Sequence, residues 1–168
     1  MKWILSFLFV VGVGVCSSLD ISKHDWTKIS NPLDSPKYQD ILNRFYPTTP
    51  KNLTRETKIV GGYVAAEGQF PFQVAIFLNA ALGSLFCGGS IIHKNWVLTA
   101  SHCLDGILNA EVYVGVHNIV TGPAYWGKYV PLNDLIMHSK YDAEHLNNDI
   151  ALVRLTTAIP MTGMSLKI

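Results

Sequence analysis

The chain contains 168 residues, of which 49% are hydrophobic and 15% are charged, and its formal net charge is +1. A disordered tail combines low hydrophobicity with high net charge, so the composition excludes that class. The near-zero net charge also offers no basic surface for neutralising phosphates, and we expect no nucleic-acid partner. A chain of this length is expected to form one folded domain.

The first 18 residues have the pattern of a secretory signal peptide. Lys2 precedes an apolar run of 13 residues at 3–15, whereas a membrane-spanning helix needs about 20. Small residues follow at 16–18, as signal-peptide cleavage requires. We therefore predict a signal peptide over 1–18, a secreted, extracellular mature chain and no membrane anchor. A buried core helix is the alternative interpretation of this run.

Three cysteines occur in the sequence, which is an odd number for a secreted protein. Cys16 lies in the region where the signal peptide would be removed. Its loss would leave Cys87 and Cys103, and two cysteines in a secreted protein most simply form one disulfide. We predict that these two residues are paired.

Residues 19–58 differ in composition from the residues that follow. Twelve of these 40 residues are charged, and four prolines interrupt any long helix. A short apolar cluster at 41–46 could dock on a neighbour but cannot form a core. Asn52 opens the one N-glycosylation sequon of the sequence, Asn-Leu-Thr, and is a possible glycosylation site in an exposed loop. We predict a propeptide or flexible extension over 19–58.

From residue 59 onward the sequence is typical of an all-β domain. Residues 111–117 alternate with valines on one face, and other β-branched and aromatic residues form short runs between turn residues. Several short strands at this spacing favour an antiparallel barrel or sandwich. The other predicted strands are 73–78, 84–93, 96–100, 135–138 and 149–155.

Three motifs carry candidate chemistry: TKIVGG at 57–62, TASHC at 99–103 and NNDIAL at 147–152. Each alone is ordinary, since a histidine beside a cysteine is usually structural and an aspartate before a strand is more often a turn residue. Together, in this order and after a signal peptide, they resemble the trypsin/chymotrypsin family of secreted serine proteases. The resemblance is nearest to the digestive enzymes of invertebrates.

The resemblance covers residue 59 to about residue 166. It includes QFPFQV at 69–74 and CGGSII at 87–92, which are similar to the early strands of the family. It implies that residues 59–168 form the N-terminal, six-stranded, antiparallel Greek-key barrel of a two-barrel protease fold. The second barrel would be missing from these residues.

The resemblance also implies roles for the motif residues. His102 would act as general base and then general acid, since an imidazole both accepts and donates protons near neutral pH. Asp149 would accept a hydrogen bond from the other ring nitrogen and orient the ring. Cys87 and Cys103 match the family's disulfide beside the histidine.

The motif around Lys58 and Ile59 is similar to the family's activation site. Cleavage between these residues would free the ammonium group of Ile59, which would pair with an aspartate beside the nucleophilic serine. The activating protease should itself prefer basic residues. In full length the enzyme would act on protein and peptide substrates, bind protease inhibitors and be a monomer.

The chain departs from the family pattern at the nucleophile, since no Gly-Asp-Ser-Gly-Gly run occurs in it. Ser165 lacks the flanking glycines that expose a nucleophile and donate to an oxyanion. Ser101 occupies the small-residue position of the histidine motif. We therefore expect a truncated form of a serine endopeptidase, without peptidase activity of its own. The alternative is a catalytically inactive protease homologue that acts as a binding or regulatory module.

No metal or cofactor is expected. The loop at 115–122 contains no carboxylate, although calcium prefers several oxygen ligands that include Asp or Glu. His138 and His145 are seven positions apart and form no zinc motif. A structural secreted β-domain unrelated to proteases is the remaining alternative.

Overall fold

The computed structural model describes residues 23–45 except 26, and residues 65–161 except 121 and 123. The predicted signal peptide, the Asn52 sequon and the Lys58–Ile59 bond lie outside these residues, so they stay predictions. None of the helices among the described residues is both long enough and apolar enough to cross a membrane.

The described chain consists mainly of strands. The N-terminal part contains a short strand, β1 (Ile29–Ser30), and a helix, α1 (Pro36–Phe45). The later part contains β2 (Gln73–Ala80), β3 (Gly83–His93), β4 (Trp96–Thr99), the one-turn helix α2 (Ser101–Leu104), β5 (Ile107–Val114), β6 (Trp126–Pro131), β7 (Leu135–Met137) and β8 (Ala151–Arg154). The predicted predominance of β structure is confirmed.

The strands form one sheet in the order β6-β5-β2-β3-β4-β8-β7, and every neighbouring pair on this path is antiparallel. The remaining strand, β1, pairs in parallel with β3. The described residues thus form eight strands where six are predicted. The additional strands include β1, from the N-terminal segment, and β6, which the sequence pattern does not predict.

One hydrophobic core lies inside the curl of this sheet. Val112 of β5 and Val130 of β6 belong to the same buried cluster as Val97 of β4 and Val153 of β8. Strands so far apart in the sheet share a core only if the sheet curls until its two ends approach each other. The architecture is therefore a curled antiparallel half-barrel.

The central strand β2 is buried on both of its faces. Ile76 points into the main core, whereas Phe77 packs with Tyr113 of β5 in a second cluster on the outer side of the sheet. A strand that is buried on both faces is expected to be a continuous apolar run. The valines of β5 alternate as predicted, but Tyr113 between them is buried as well.

Gly89 occupies a position where β3 has neighbours on both sides. It pairs with Val74 of β2, and the next residue, Ser90, pairs with Leu98 of β4. A Cβ at residue 89 would lie 2.8 Å from the carbonyl oxygen of Leu98 and 2.9 Å from Cγ1 of Val97. Glycine is therefore needed here for β3 and β4 to approach closely.

Part of the predicted flexible extension is folded against the half-barrel. Pro36 begins α1, where its missing N–H costs nothing, so this proline starts a helix rather than breaking one. Ile29 of β1 is buried in the outer cluster. Ile29 and Tyr38 of this polar segment cannot form a core of their own, but both are buried against the half-barrel.

Candidate active site

The structure brings His102 and Asp149 together across 47 positions of sequence. Nδ1 of the imidazole lies 2.7 Å from Oδ2 of the carboxylate. The backbone N–H of His102 donates to the other oxygen, Oδ1, at 2.8 Å. Two bonds to one carboxylate fix both the position of the histidine and the plane of its ring.

This geometry assigns different tasks to the two ring nitrogens. An ionised carboxylate is an acceptor only, so the proton of the imidazole lies on Nδ1 and points at Asp149. Nε2 is left to exchange a proton with a reacting group, and it lies 3.5 Å from the Cys103 sulfur. The imidazole is 14% exposed and the carboxylate 23%, so solvent screens the pair only in part.

The histidine follows β4 directly, on the one-turn helix α2. Ser101, the first residue of α2, is fully buried and donates its hydroxyl proton to the carbonyl oxygen of Ile150 at 2.7 Å. The same oxygen atom of Ser101 accepts the backbone N–H of His138 at 3.3 Å. The serine therefore ties α2 to the residue that follows Asp149.

Asp149 is presented by a constrained turn in front of β8. Asn148 has a positive φ of 55°, a conformation that asparagine tolerates better than most residues. Its side-chain amide donates to the carbonyl oxygen of Lys140 at 2.8 Å. Asn148, the second asparagine of the NNDIAL motif, thus sets the direction in which the Asp149 side chain points.

The disulfide between Cys87 and Cys103 is present, as predicted, and joins β3 to α2 across 16 positions. It anchors the residue next to His102 to the central part of the sheet. The two sulfurs and the imidazole form a cluster of possible metal ligands within the described residues. Both sulfurs are bonded to each other, so they offer no thiolate to a metal ion.

The N-terminal segment contributes side chains that the sequence does not point to. Tyr38 of α1 is only 4% exposed, and its ring meets the His102 ring edge to face at 6.0 Å. Its hydroxyl donates to Oδ2 of Asp105 at 3.0 Å and lies 3.0 Å from the hydroxyl of Tyr141. Burial, followed by these hydrogen bonds, raises the pKa of Tyr38, so the phenol stays protonated.

Asp105 receives a second contact, this one from a cation, since Nζ of Lys37 lies 2.5 Å from the same oxygen. Burial alone would raise the pKa of this carboxyl. Together, its hydrogen bonds with Lys37 and Tyr38 lower the pKa by more than burial raises it, so the pKa of Asp105 lies below its usual value. Asp105 is therefore ionised while the segment is docked.

A pocket of about 340 Å³ beside the contact of Tyr38 with His102 is lined by residues of both the N-terminal segment and the half-barrel. Its walls include Ser30, Asn31, Pro32, Tyr38, His102 and Asp105. The segment therefore forms one wall of the space beside the histidine.

Comparisons with known proteins agree with the motifs. The trypsin family model matches residues 59–164. Brachyurin of Leptuca pugilator is 38% identical over 105 residues, which are 62% of this chain and 45% of that protein. Chymotrypsin of Phaedon cochleariae is 30% identical over 164 residues, which are 96% of this chain and 54% of that protein.

Trypsin of Xenopus laevis is 38% identical over 108 residues, which are 64% of this chain and 41% of that protein. A solved structure described as HL collagenase aligns with a TM-score of 0.48 and 32% identity over 59% of this chain and 42% of that chain. The chain spans about half the length, or less, of these relatives. Because the family model matches most of its length, the chain belongs to the trypsin family.

Proposed function

We propose that this chain carries the general base and the orienting carboxylate of a serine-type endopeptidase. The observation behind the proposal is the contact between His102 and Asp149, in which one carboxylate binds both the ring and the backbone of the histidine. A purely structural histidine does not need a carboxylate that orients both its ring and its backbone.

The reaction would proceed by nucleophilic catalysis. As a serine hydroxyl attacks the scissile carbonyl, its proton passes to Nε2 of His102. Asp149 stabilises the resulting imidazolium through the Nδ1–H bond, and the proton on Nε2 then moves to the leaving amine as the peptide bond breaks. Water repeats the sequence to release the acyl group. These steps are acid–base and nucleophilic, so they use no cofactor.

The nucleophile and the oxyanion donors would come from outside these 168 residues, which contain no Gly-Asp-Ser-Gly-Gly run. We propose that the 168 residues alone do not hydrolyse peptides. Ser101 does not substitute for the missing serine, because its hydroxyl is buried and bonded to Ile150. The complete protein would be a monomer that binds protein and peptide substrates and protease inhibitors.

The same proposal includes secretion and activation. The signal peptide over 1–18 would direct the chain out of the cell, as the related digestive proteases suggest. A protease of basic specificity would then cut between Lys58 and Ile59 and convert the zymogen to the active form. Residues 19–58 would be its propeptide. The second candidate function is that of a catalytically inactive homologue that acts as a binding or regulatory module.

The first experiment asks whether the His102–Asp149 pair forms in solution. Nitrogen-15 NMR of the chain should show the His102 proton on Nδ1, with a strongly deshielded proton signal. Asp149→Asn should abolish that signal, because a neutral amide is a poorer acceptor than a carboxylate. His145 and Asp142 form a matched exposed pair at 2.8 Å, so Asp142→Asn is the control and should leave the signal unchanged. Loss of the signal in Asp142→Asn but not in Asp149→Asn would contradict the proposal.

A further inference from the structure

We infer that residues 23–45 are an intramolecular inhibitor, which covers His102 and stays bound to the half-barrel after the chain is cut at Lys58. The inference rests on the proposed function, since it concerns regulation of the same site. It assigns a binding surface on the half-barrel, and the partner of that surface is the chain's own N-terminal segment. Before cleavage the segment is part of the same chain, and after cleavage it is a separate fragment.

The contact at the histidine is made by Tyr38. Its ring centroid lies 6.0 Å from that of His102, so the two rings are in contact and no peptide chain fits between them. A substrate must bring its reacting atoms within hydrogen-bond reach of the general base. On this side of the imidazole, Tyr38 has to leave before a substrate can occupy the space.

The phenol of Tyr38 is held by a polar network rather than by burial alone. Asp105 accepts both the hydroxyl proton of Tyr38 and an ammonium proton of Lys37. Since the single hydroxyl proton of Tyr38 goes to Asp105, Tyr141 donates to the oxygen of Tyr38. Two residues of α1 thus bind two residues of the half-barrel that flank His102.

A second anchor lies nearer the N-terminal end of the segment. The imidazole of His24 stacks on Phe77 with centroids 3.8 Å apart and planes inclined by only 6°. Its Nε2 lies 3.2 Å from both the Tyr113 hydroxyl and Oε2 of Glu111. Ile29 is 8% exposed and packs into the same outer cluster.

Between the two anchors, the segment lies along the first part of β3, whose edge is left free because β4 pairs only with residues 90–93. Ile29 and Ser30 pair with Ser84 and Leu85 of β3. The neighbouring residues of β3, Phe86 and Cys87, line a pocket that also includes His102. A free strand edge is a place where an extended peptide can add. Here the chain's own segment fills that edge next to the histidine.

Cutting the chain at Lys58 removes none of these contacts. All of them lie between residues 24 and 38 on one side and residues 77 and 141 on the other, and none involves residue 58. After cleavage, the segment would therefore remain as a non-covalent inhibitor. Full activity would require dilution, proteolysis of the segment or displacement by substrate.

The experiment cuts the chain and measures what stays bound. A recognition site for a sequence-specific protease replaces residues 53–58, which lie outside the contacts described. After cleavage, size-exclusion chromatography and isothermal dilution report whether the N-terminal fragment remains with the half-barrel. The wild-type fragment should co-elute with it. Tyr38→Ala should weaken retention by roughly 100-fold, from the lost aromatic burial and two hydrogen bonds.

Two further variants keep the test informative if Tyr38→Ala disturbs folding. Tyr38→Phe retains the ring and loses the hydroxyl, so retention should fall by about tenfold. Lys28→Ala is the control, because that side chain is 80% exposed and pairs with Asp25 of its own segment, and retention should be unchanged. The reaction of His102 with diethyl pyrocarbonate should be slow in wild type and Lys28→Ala and about tenfold faster in Tyr38→Ala.

A wild-type fragment that separates on cutting, or Tyr38 variants indistinguishable from Lys28→Ala, would overturn the inference. These outcomes leave the proposed function intact if the complete, cleaved protein hydrolyses peptides through His102. The opposite result would be that the fragment is retained but the complete protein does not hydrolyse peptides. It would support the docking surface and overturn the proposed function.

Discussion

The ring of Tyr38 meets the imidazole of His102 edge to face, with planes inclined at 67°. The proposed activation cleavage would place these two residues on separate chains. The tyrosine belongs to the N-terminal fragment that the cut would produce, and the histidine belongs to the proposed catalytic pair. Under the two proposals, this contact would link the regulation of the protein to its chemistry.

Docking of the N-terminal segment should weaken at acidic pH. The docked state lowers the pKa of Asp105, so its contribution is complete above the ordinary aspartate value of about 3.9 and is lost as the pH falls through the lowered value. The groups that face this carboxylate are Lys37 and Tyr38 from α1, with Tyr141 and His102 on the half-barrel side.

Retention of the cut fragment, measured between pH 7 and pH 3, should therefore be constant at first and then fall below about pH 4. Asp105→Asn should weaken retention at neutral pH and flatten the profile. Circular dichroism at each pH checks that the half-barrel is still folded. A profile in Asp105→Asn as steep as that of wild type would show that another group controls release.

Ser101→Ala should lower the free energy of unfolding by about 1 kcal/mol, because the buried hydroxyl loses its bonds to Ile150 and His138. The cost stays modest because the backbone N–H of His138 also donates to the Ile150 carbonyl oxygen. Urea unfolding measures the change. In the complete protein, the same variant should retain hydrolysis, and a loss as large as that of His102→Ala would mean that Ser101 takes part in the chemistry.

Removal of the disulfide should destabilise the half-barrel by about 3 kcal/mol, the value that the chain-entropy model gives for a loop of this length. The double variant Cys87→Ser, Cys103→Ser tests this by urea unfolding against wild type under oxidising conditions. Reductant should shift wild type towards the double variant and leave the double variant unchanged. An equal response of both proteins to the reductant would contradict the pairing.

The candidate pair could be predicted only through the resemblance of the TASHC and NNDIAL motifs to the trypsin/chymotrypsin family, because each motif alone is ordinary. His102 directly follows an apolar strand, and Asp149 directly precedes one. The antiparallel pairing of β4 with β8 then brings the two motifs to the same end of the sheet. The short distance between the two side chains is a consequence of this long-range strand pairing, which neither motif contains by itself.

The role of Tyr38 could not be predicted in the same way. Its partners Asp105 and Tyr141 are 67 and 103 positions away, and no periodic pattern marks any of the three. The segment around it is polar and proline-rich, which favours an extension over a docked helix. Docking of the segment can be recognised only in the structure, where Tyr38 is buried and bonded to Asp105 of the half-barrel.

The strand β6 shows another limit of the sequence. Trp126–Pro131 contains a glycine, a lysine and a proline, which weaken the pattern of a strand. β6 lies at one end of the strand order, where a proline is tolerated because one side of the strand has no neighbour among the described strands. Position in the sheet, which the local sequence does not contain, decides whether such a segment forms a strand.

The most direct test of the central claim is the rate of peptide hydrolysis by the complete, activated protein. Both His102→Ala and Asp149→Asn should fold and bind inhibitors. Asp149→Asn should lose hydrolysis by about 10⁴-fold, the size known for the aspartate change in the type example of this triad, and His102→Ala by about 10⁶-fold, since the nucleophile then has no general base. The control Asp142→Asn should keep the wild-type rate, since its carboxylate pairs with the exposed His145 and not with His102. Hydrolysis that survives in His102→Ala would contradict the assignment of this histidine as the general base.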